Sequence, residues 1–201
     1  MAIGRRARGT YAKTPERRAE ILDAALHVFG DSGFLAGSLR DVADRAGMSQ
    51  AGLLHHFGSK AELLSAVLEH RDEVNRSFFN LRSSDALSFL RGLVQLSEHN
   101  AQHPGIVALY IQVSAEAIAP DHPAHVYFRD RFVRIRTRIV EALADAESQG
   151  LLVPGTDREV LAAEVLALSD GLQLQWIYAD RTFDLASRLK WHLQRHLTVD
   201  L

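Results

Sequence analysis

The chain contains no cysteine, which excludes a disulfide framework and any thiolate metal or redox site. Proline is scarce: five in 201 residues. With the 13 glycines it falls mostly at segment edges, so long helices can run uninterrupted between them. No apolar run approaches the 18 or so residues that span a bilayer, and the basic N-terminal stretch is not followed by the apolar segment of a signal peptide. The formal charge of −2 shows no overall bias of sign. A cytoplasmic, non-membrane, nearly all-helical protein is the expectation, and 47 % hydrophobic content is enough for a sizeable core.

The charge becomes informative when the chain is divided. Residues 1–60 hold nine Lys or Arg against six Asp or Glu, whereas residues 61–201 hold 14 against 19. Arg5, Arg6, Arg8, Lys13, Arg17 and Arg18 face only Glu16 within the first 18 residues. A basic arm over residues 1–14, suited to phosphate or a minor groove, is one reading; a solubilising tail is the other.

Thr14-Pro15-Glu16 opens a helix with a cap, a proline at the first position and an acid in the first turn. Its apolar face is Ile21, Leu22, Ala25, Leu26 and Phe29, and Gly33 stops it, with Phe34 expected to anchor a small core. Ser38 and Asp41 form a capping box for a short helix in which Leu39, Val42 and Ala43 share a face. Gly47 can take the left-handed turn, and Ser49 caps a further helix over about Gln50 to Phe57. Leu53 and Phe57 point inward there, leaving Gln50, Ala51, Gly52, His55 and His56 outside. Ala51 and Gly52 make that end slim enough to approach base edges, although helix, tight turn, helix also occurs in proteins that bind no DNA. The adjacent histidines diverge by about 100° around the helix, so they are expected to face DNA rather than a metal, and no metal or cofactor is expected. Ser59-Lys60-Ala61-Glu62 caps a fourth helix that runs to about Phe78 or Phe79.

Over about residues 15–65 the chain resembles the DNA-binding domain of the TetR family of bacterial transcriptional regulators, on the stretches Ile21 to Phe34, LRDVADRAGMS and LLHHFGSKAELL. The resemblance implies an all-α protein. A helix-turn-helix domain at 15–62, with the motif at about 38–57, would precede a helical ligand-binding and dimerisation domain at 63–201. It also implies a homodimer reading a palindromic operator in double-stranded DNA and released by a small-molecule effector. Carried over residue by residue, the DNA-binding set is Ser38, Arg40, Ser49, Gln50, Ala51, Gly52, His55, His56 and Lys60. Ser38, Arg40 and Lys60 suit phosphate and Gln50 suits a base edge. Leu54 departs from the pattern, since many relatives have a tyrosine there, which shifts that contact toward His55 or His56.

Beyond residue 80, helices are expected from Ser84 or Asp85 to about His99, after Pro104-Gly105, from the break at Pro120–Pro123 to about Gln149, over Asp157–Ala179 and over Asp184–Leu197. Phe128, Phe132, Ile135, Ile139 and Leu143 trace a buried stripe. Arg129, Arg131, Arg134, Arg136 and Arg138 read as a solvated, salt-bridged face. Tyr110, Gln112, His125, Tyr127, Asp170, Gln173 and Trp176 are the polar and aromatic candidates for lining an effector cavity. Val165, Leu172, Trp176, Leu185, Leu189 and Leu193 are the candidates for a dimer interface, with Trp191 a further anchor and Leu197 continuing the leucine repeat. An enzyme using Asp170 and the histidines as acid and base is the contrary reading. No phosphate loop, serine elbow or metal-bearing helix pattern supports it. A helical dimer that binds no DNA is another.

Overall fold

The computed structural model describes residues 15–201. The expected basic arm at 1–14 lies outside the described residues. Those residues form the helices α1 (Pro15–Ala36), α2 (Leu39–Arg45), α3 (Gln50–Phe57), α4 (Lys60–Phe78), α5 (Ala86–Ala101), α6 (Pro104–Glu116), α7 (His125–Ser148), α8 (Arg158–Tyr178) and α9 (Leu185–Gln194). The fold is all-α, as the periodicity predicts. None of these helices is long and apolar enough to cross a membrane.

Punctuation falls where the small and capping residues stand. Gly33 leaves the helical region (φ 77°, ψ 163°), so α1 is two helical pieces joined at a kink. Asp85, Asp157 and Asp184 cap α5, α8 and α9 by accepting backbone N–H groups of their first turns.

Two cores organise the bundle. The first gathers Ile21, Ala25 and Phe29 of α1, Val42 and Ala43 of α2, Leu53 and Phe57 of α3, and Leu63, Leu64, Val67 and Leu68 of α4. It extends onto Leu109, Tyr110 and Val113 of α6 and Phe128 of α7. Phe34 is half-buried against it. The second core joins α5, α7, α8 and α9 through Phe89, Leu90, Ile139, Leu143, Leu161, Val165, Leu189 and Leu193. The N-terminal module therefore shares its hydrophobic interior with α6 and α7, and α4 runs out of that interior toward the second core.

Two expectations about helix faces are corrected. Phe132 does not belong to the buried stripe of α7; it is 38 % exposed while Phe128, Ile139 and Leu143 are buried. The last helix ends at Gln194 and not at Leu197. His196 and Thr198 instead exchange backbone hydrogen bonds with Val153 and Leu151, which forms an isolated antiparallel bridge between Leu152 and Leu197. Leu197 stays buried by this route, so the hydrophobic demand that its four-residue spacing signals is met without a further helical turn.

Candidate DNA interface and interhelical cavity

The helix-turn-helix is built by two serine caps and one left-handed glycine. Ser38 Oγ accepts the Asp41 backbone N–H at 3.0 Å and donates to Asp41 Oδ2 at 2.7 Å, closing the capping box of α2. Gly47 (φ 63°) turns the chain, and Ser49 Oγ accepts the Gly52 N–H at 3.1 Å to start α3. Because Leu53 and Phe57 are buried, the opposite face of α3 presents Gln50, Ala51 and His55 to solvent, with Gly52 and His56 half-exposed beside them. Leu54, the departure from the family pattern, is half-buried.

The cations around this face differ in how they are held. Arg40 is exposed and only 3.8 Å from Asp44 Oδ2, a loose surface pair that a phosphate can replace at little cost. Lys60 Nζ donates to the Leu35 carbonyl at 3.1 Å and lies 4.7 Å from the Phe34 ring centre, so it ties the start of α4 to the end of α1. Arg17 donates to the Ala46 carbonyl at 2.6 Å, at the end of α2, and Arg18 lies over the Phe57 ring at 4.3 Å. Both are used inside the module, whereas their sequence position groups them with the basic arm.

A cavity of about 940 Å³, its open mouth included, lies among α4, α5, α7 and α8, with Tyr110 of α6 and Leu189 of α9 also on its wall. Asp72 of α4 is at its polar centre. It accepts from Arg131 Nε at 3.1 Å on one oxygen and from Arg134 at 3.1 Å on the other. Arg131 also donates to the Tyr110 hydroxyl at 2.6 Å, and burial pushes the Tyr110 phenol up to about 12. Arg71 donates to Asn100 Oδ1 at 3.2 Å. Burial, reinforced by the nearby Arg131 charge, lowers the Arg71 pKa. Burial raises that of Asp170, against the opposing pull of Arg131.

Of the residues expected at an effector site, Tyr110, Asp170 and Gln173 line this cavity. The other four do not. Gln112 is exposed on α6 near Gly33. His125 Nδ1 meets the Ala117 carbonyl at 2.8 Å, bracing the entry to α7. Tyr127 donates to the Leu68 carbonyl at 3.2 Å, and burial pushes its phenol up. Trp176 is buried in a separate cluster with Leu172 and Leu185. Conversely, Arg131, Arg134 and Arg138, read from sequence as a solvated face, turn toward the cavity. Arg71, Asp72, Asn75 and Asn100 were not anticipated there at all. A signal for the α4 members exists: they continue the register of Leu63, Leu64, Val67 and Leu68 at helical spacing, so they fall on a face already committed to burial.

The residues expected at a dimer interface also pack elsewhere. Val165, Leu189 and Leu193 belong to the second core, and Leu172, Trp176 and Leu185 to the small cluster beside it. The four-residue leucine repeat marks the inner face of α9, because a helix in a bundle needs its most regular apolar stripe for its own core. The outer face is different. Val160, Ala163, Ala167, Leu174 and Tyr178 are exposed along α8, with open space at Gly171, and Trp191 of α9 is 63 % exposed beneath Arg195.

Glu164, His192 and His196 form a further cluster on α8 and the end of α9, their donor atoms up to 4.8 Å apart.

A slim, serine-capped helix on a small helical module, joined by one continuous helix to a bundle with an internal polar cavity, defines a helix-turn-helix DNA-binding regulator. The tetR family of bacterial regulatory proteins matches residues 21–67, and the C-terminal domain of the BetI-type transcriptional repressor matches residues 90–198. The chain is 30 % identical over 175 residues to the transcriptional regulator BetI of Rhizobium meliloti, covering 80 % of this chain and 78 % of that protein. A TetR transcription regulator from Haloarcula marismortui superposes with a TM-score of 0.79 at 18 % identity, over 92 % of this chain and all of that one. A transcriptional regulator from Saccharomonospora viridis, solved in complex with choline, does so with a TM-score of 0.73 at 24 % identity, over 92 % of this chain and 98 % of that one. This chain belongs to the TetR family and is a DNA-binding transcriptional regulator of that type, a family of regulators and not of enzymes.

Proposed function

We propose that the protein is a homodimeric repressor whose two α3 helices read a palindromic operator and whose affinity falls when a small effector enters the cavity among α4, α5, α7 and α8. The observation that carries this reading is the double use of α4. Its first half places Leu63, Leu64 and Val67 in the core of the DNA-binding module, and its second half places Arg71, Asp72 and Asn75 on the cavity wall. From Lys60 to Arg71 is about 16 Å along the helix axis at 1.5 Å per residue. A ligand that repositions the cavity end therefore acts on the module through a rigid element.

The division of labour follows. Residues 15–62 contact DNA, with residues 1–14 as an added basic arm, and residues 63–201 bind the effector and the second subunit. Within the first segment, Arg40, Lys60 and Ser38 position the module on phosphates, while Gln50 reads a base edge and Ala51, Gly52, His55 and His56 line the approach, with Ser49 fixing the start of the helix. The exposed stripe from Val160 to Tyr178 and Trp191 supports pairing of α8 and α9 with a second copy, which sets two recognition helices about 34–36 Å apart for successive major-groove faces. The test is a titration of the full chain on its own upstream region and on scrambled DNA at several salt concentrations, with light scattering for the assembly. Equal affinity for both duplexes, or a monomer that binds the palindrome fully, contradicts the proposal.

A further inference from the structure

The cavity contains one buried cation, Arg71, that forms no ion pair among the described residues, although the charge of the neighbouring Asp72 acts on it. Asp72 is committed to Arg131 and Arg134, and lies 3.9 Å from Arg76 as well. Arg76 has Glu73 at 2.9 Å, and Arg138 is paired with Glu141. Arg71 is only 8 % exposed, makes its one hydrogen bond to the neutral Asn100, and has no carboxylate within ion-pair distance among the described residues. The Tyr110 ring, 5.4 Å away, gives it a partial electrostatic partner and no counter-charge. The remaining acid on the wall, Asp170, makes no ion pair among the described residues, although the Arg131 charge acts on it. Burial raises its pKa and so favours its neutral form, which makes it a weak attractor for a second cation.

An uncompensated guanidinium in such surroundings is expensive unless a charge of opposite sign joins it. The rest of the wall indicates what that charge is attached to. Leu93 and Leu96 of α5, Ile135 of α7 and Leu166 of α8 form an aliphatic lining beside it. Arg71 is the wall guanidinium without an ion pair among the described residues, and one such fork matches a single carboxylate, which takes two parallel N–H donors. The other four arginines of the wall each have a carboxylate partner, Arg131 and Arg134 sharing Asp72, Arg76 on Glu73 and Arg138 on Glu141, so Arg71 is the fork left open to a ligand.

We infer that the effector is an anionic amphiphile, its carboxylate held by Arg71 beside Asn100 and its aliphatic body laid along Leu93, Leu96, Ile135 and Leu166. This rests on the effector reading proposed above and adds the ligand's chemical class. It also separates this chain from the choline-bound relative, since a wall carrying five arginines opposes a quaternary ammonium.

Three probes with the same eight-carbon tail test it on the full-length chain: octanoate, octan-1-ol and octylammonium, by calorimetry and thermal shift. Octanoate is expected to bind at least tenfold more tightly than the other two. Arg71→Met is expected to weaken octanoate by about ten- to a hundredfold, the range of one charged hydrogen-bonded contact, and to erase its advantage over octanol. Arg71→Lys is expected to retain part of it. Removing an uncompensated buried charge favours folding of the Met variant; circular dichroism checks this, and the ranking of the three probes on the unmodified chain is decisive without it. Octanol or octylammonium binding as tightly as octanoate, an unchanged ranking in Arg71→Met, or no binding by any probe overturns the inference. A parallel operator titration separates the two claims. Octanoate bound through Arg71 with DNA retained defeats effector release and leaves the anion preference standing, whereas DNA release by octylammonium does the reverse.

Discussion

Gly105 at the start of α6 lies backbone to backbone against Gly30 of α1: a Cβ added at Gly105 would sit 2.6 Å from the Gly30 carbonyl oxygen. No side chain separates the two helices at this crossing, so it fixes how closely the DNA-binding module rests on the bundle that carries the cavity. The contact is asymmetric, because a Cβ at Gly30 would meet its nearest neighbours at an ordinary 3.5 Å.

Gly105→Ala is therefore expected to destabilise the chain by about 1–3 kcal/mol, as overpacking against backbone does, and to change operator affinity by shifting α6 on α1. Gly30→Ala is expected to be neutral or stabilising by up to about 1 kcal/mol, the helix preference of alanine over glycine. Thermal unfolding of both variants, with operator titrations, checks the pair; equal effects from both would show that this crossing does not set the spacing.

The recognition face predicts separable losses. Gln50→Ala is expected to reduce discrimination between operator variants by about 1–3 kcal/mol with little loss on scrambled DNA. Arg40→Ala is expected to weaken both duplexes alike and to reduce the salt slope by about one unit. Arg40 is a cleaner probe of phosphate contact than Lys60, whose ammonium also holds the Leu35 carbonyl. Sequence-selective loss from Arg40→Ala and none from Gln50→Ala would reverse the assignment.

The helix-turn-helix was legible in the sequence because its determinants are local: two serine caps, one left-handed glycine and a pair of inward residues four apart all act within a single turn or helix. The cavity was legible only in part. Tyr110, Asp170 and Gln173 stand out as polar or aromatic residues among apolar ones, but whether Arg131 faces water or Asp72 depends on a partner 59 residues away. A run of arginines on one helix looks the same in both cases. The leucine repeat of α9 misled for a related reason. Periodicity identifies a face that must be buried, and says nothing of whether the burying surface belongs to the same chain or to a second copy.

Stability is expected to fall as pH drops below about 6.5, the ordinary histidine value. Burial lowers the His99 pKa, with His103 and Arg71 adding repulsion, and burial with His196 does the same for His192. Above 6.5 these rings are neutral in both folded and unfolded chains, and their contribution is complete. Below it the unfolded chain takes up protons first, so stability declines until the pH passes the lower folded values. His99→Gln is expected to flatten part of this decline between pH 7.5 and 5, read as melting temperature. An unchanged slope would remove His99 from the account.

The outer faces of α8 and α9 distinguish assembly from folding. Leu189 is 2 % exposed and sits in the second core, so Leu189→Asp buries a carboxylate without a partner and is expected to unfold the C-terminal bundle. Trp191 is exposed on the same helix, and Gly171 opens onto empty space between the exposed Ala167 and Leu174. Trp191→Asp combined with Gly171→Leu removes the surface contact of Arg195 with the Trp191 ring, leaves the buried cores in place and adds a charge and bulk to the outer face. This double variant is expected to keep wild-type helicity by circular dichroism, to run as a monomer in light scattering, and to lose most of its affinity for the palindrome while retaining weak binding to a half-site. Two half-sites read together gain from effective concentration what one recognition helix cannot supply alone. A folded double variant that remained dimeric would move the interface away from α8 and α9, and a folded monomer with full palindrome affinity would show that dimerisation does not set the operator register.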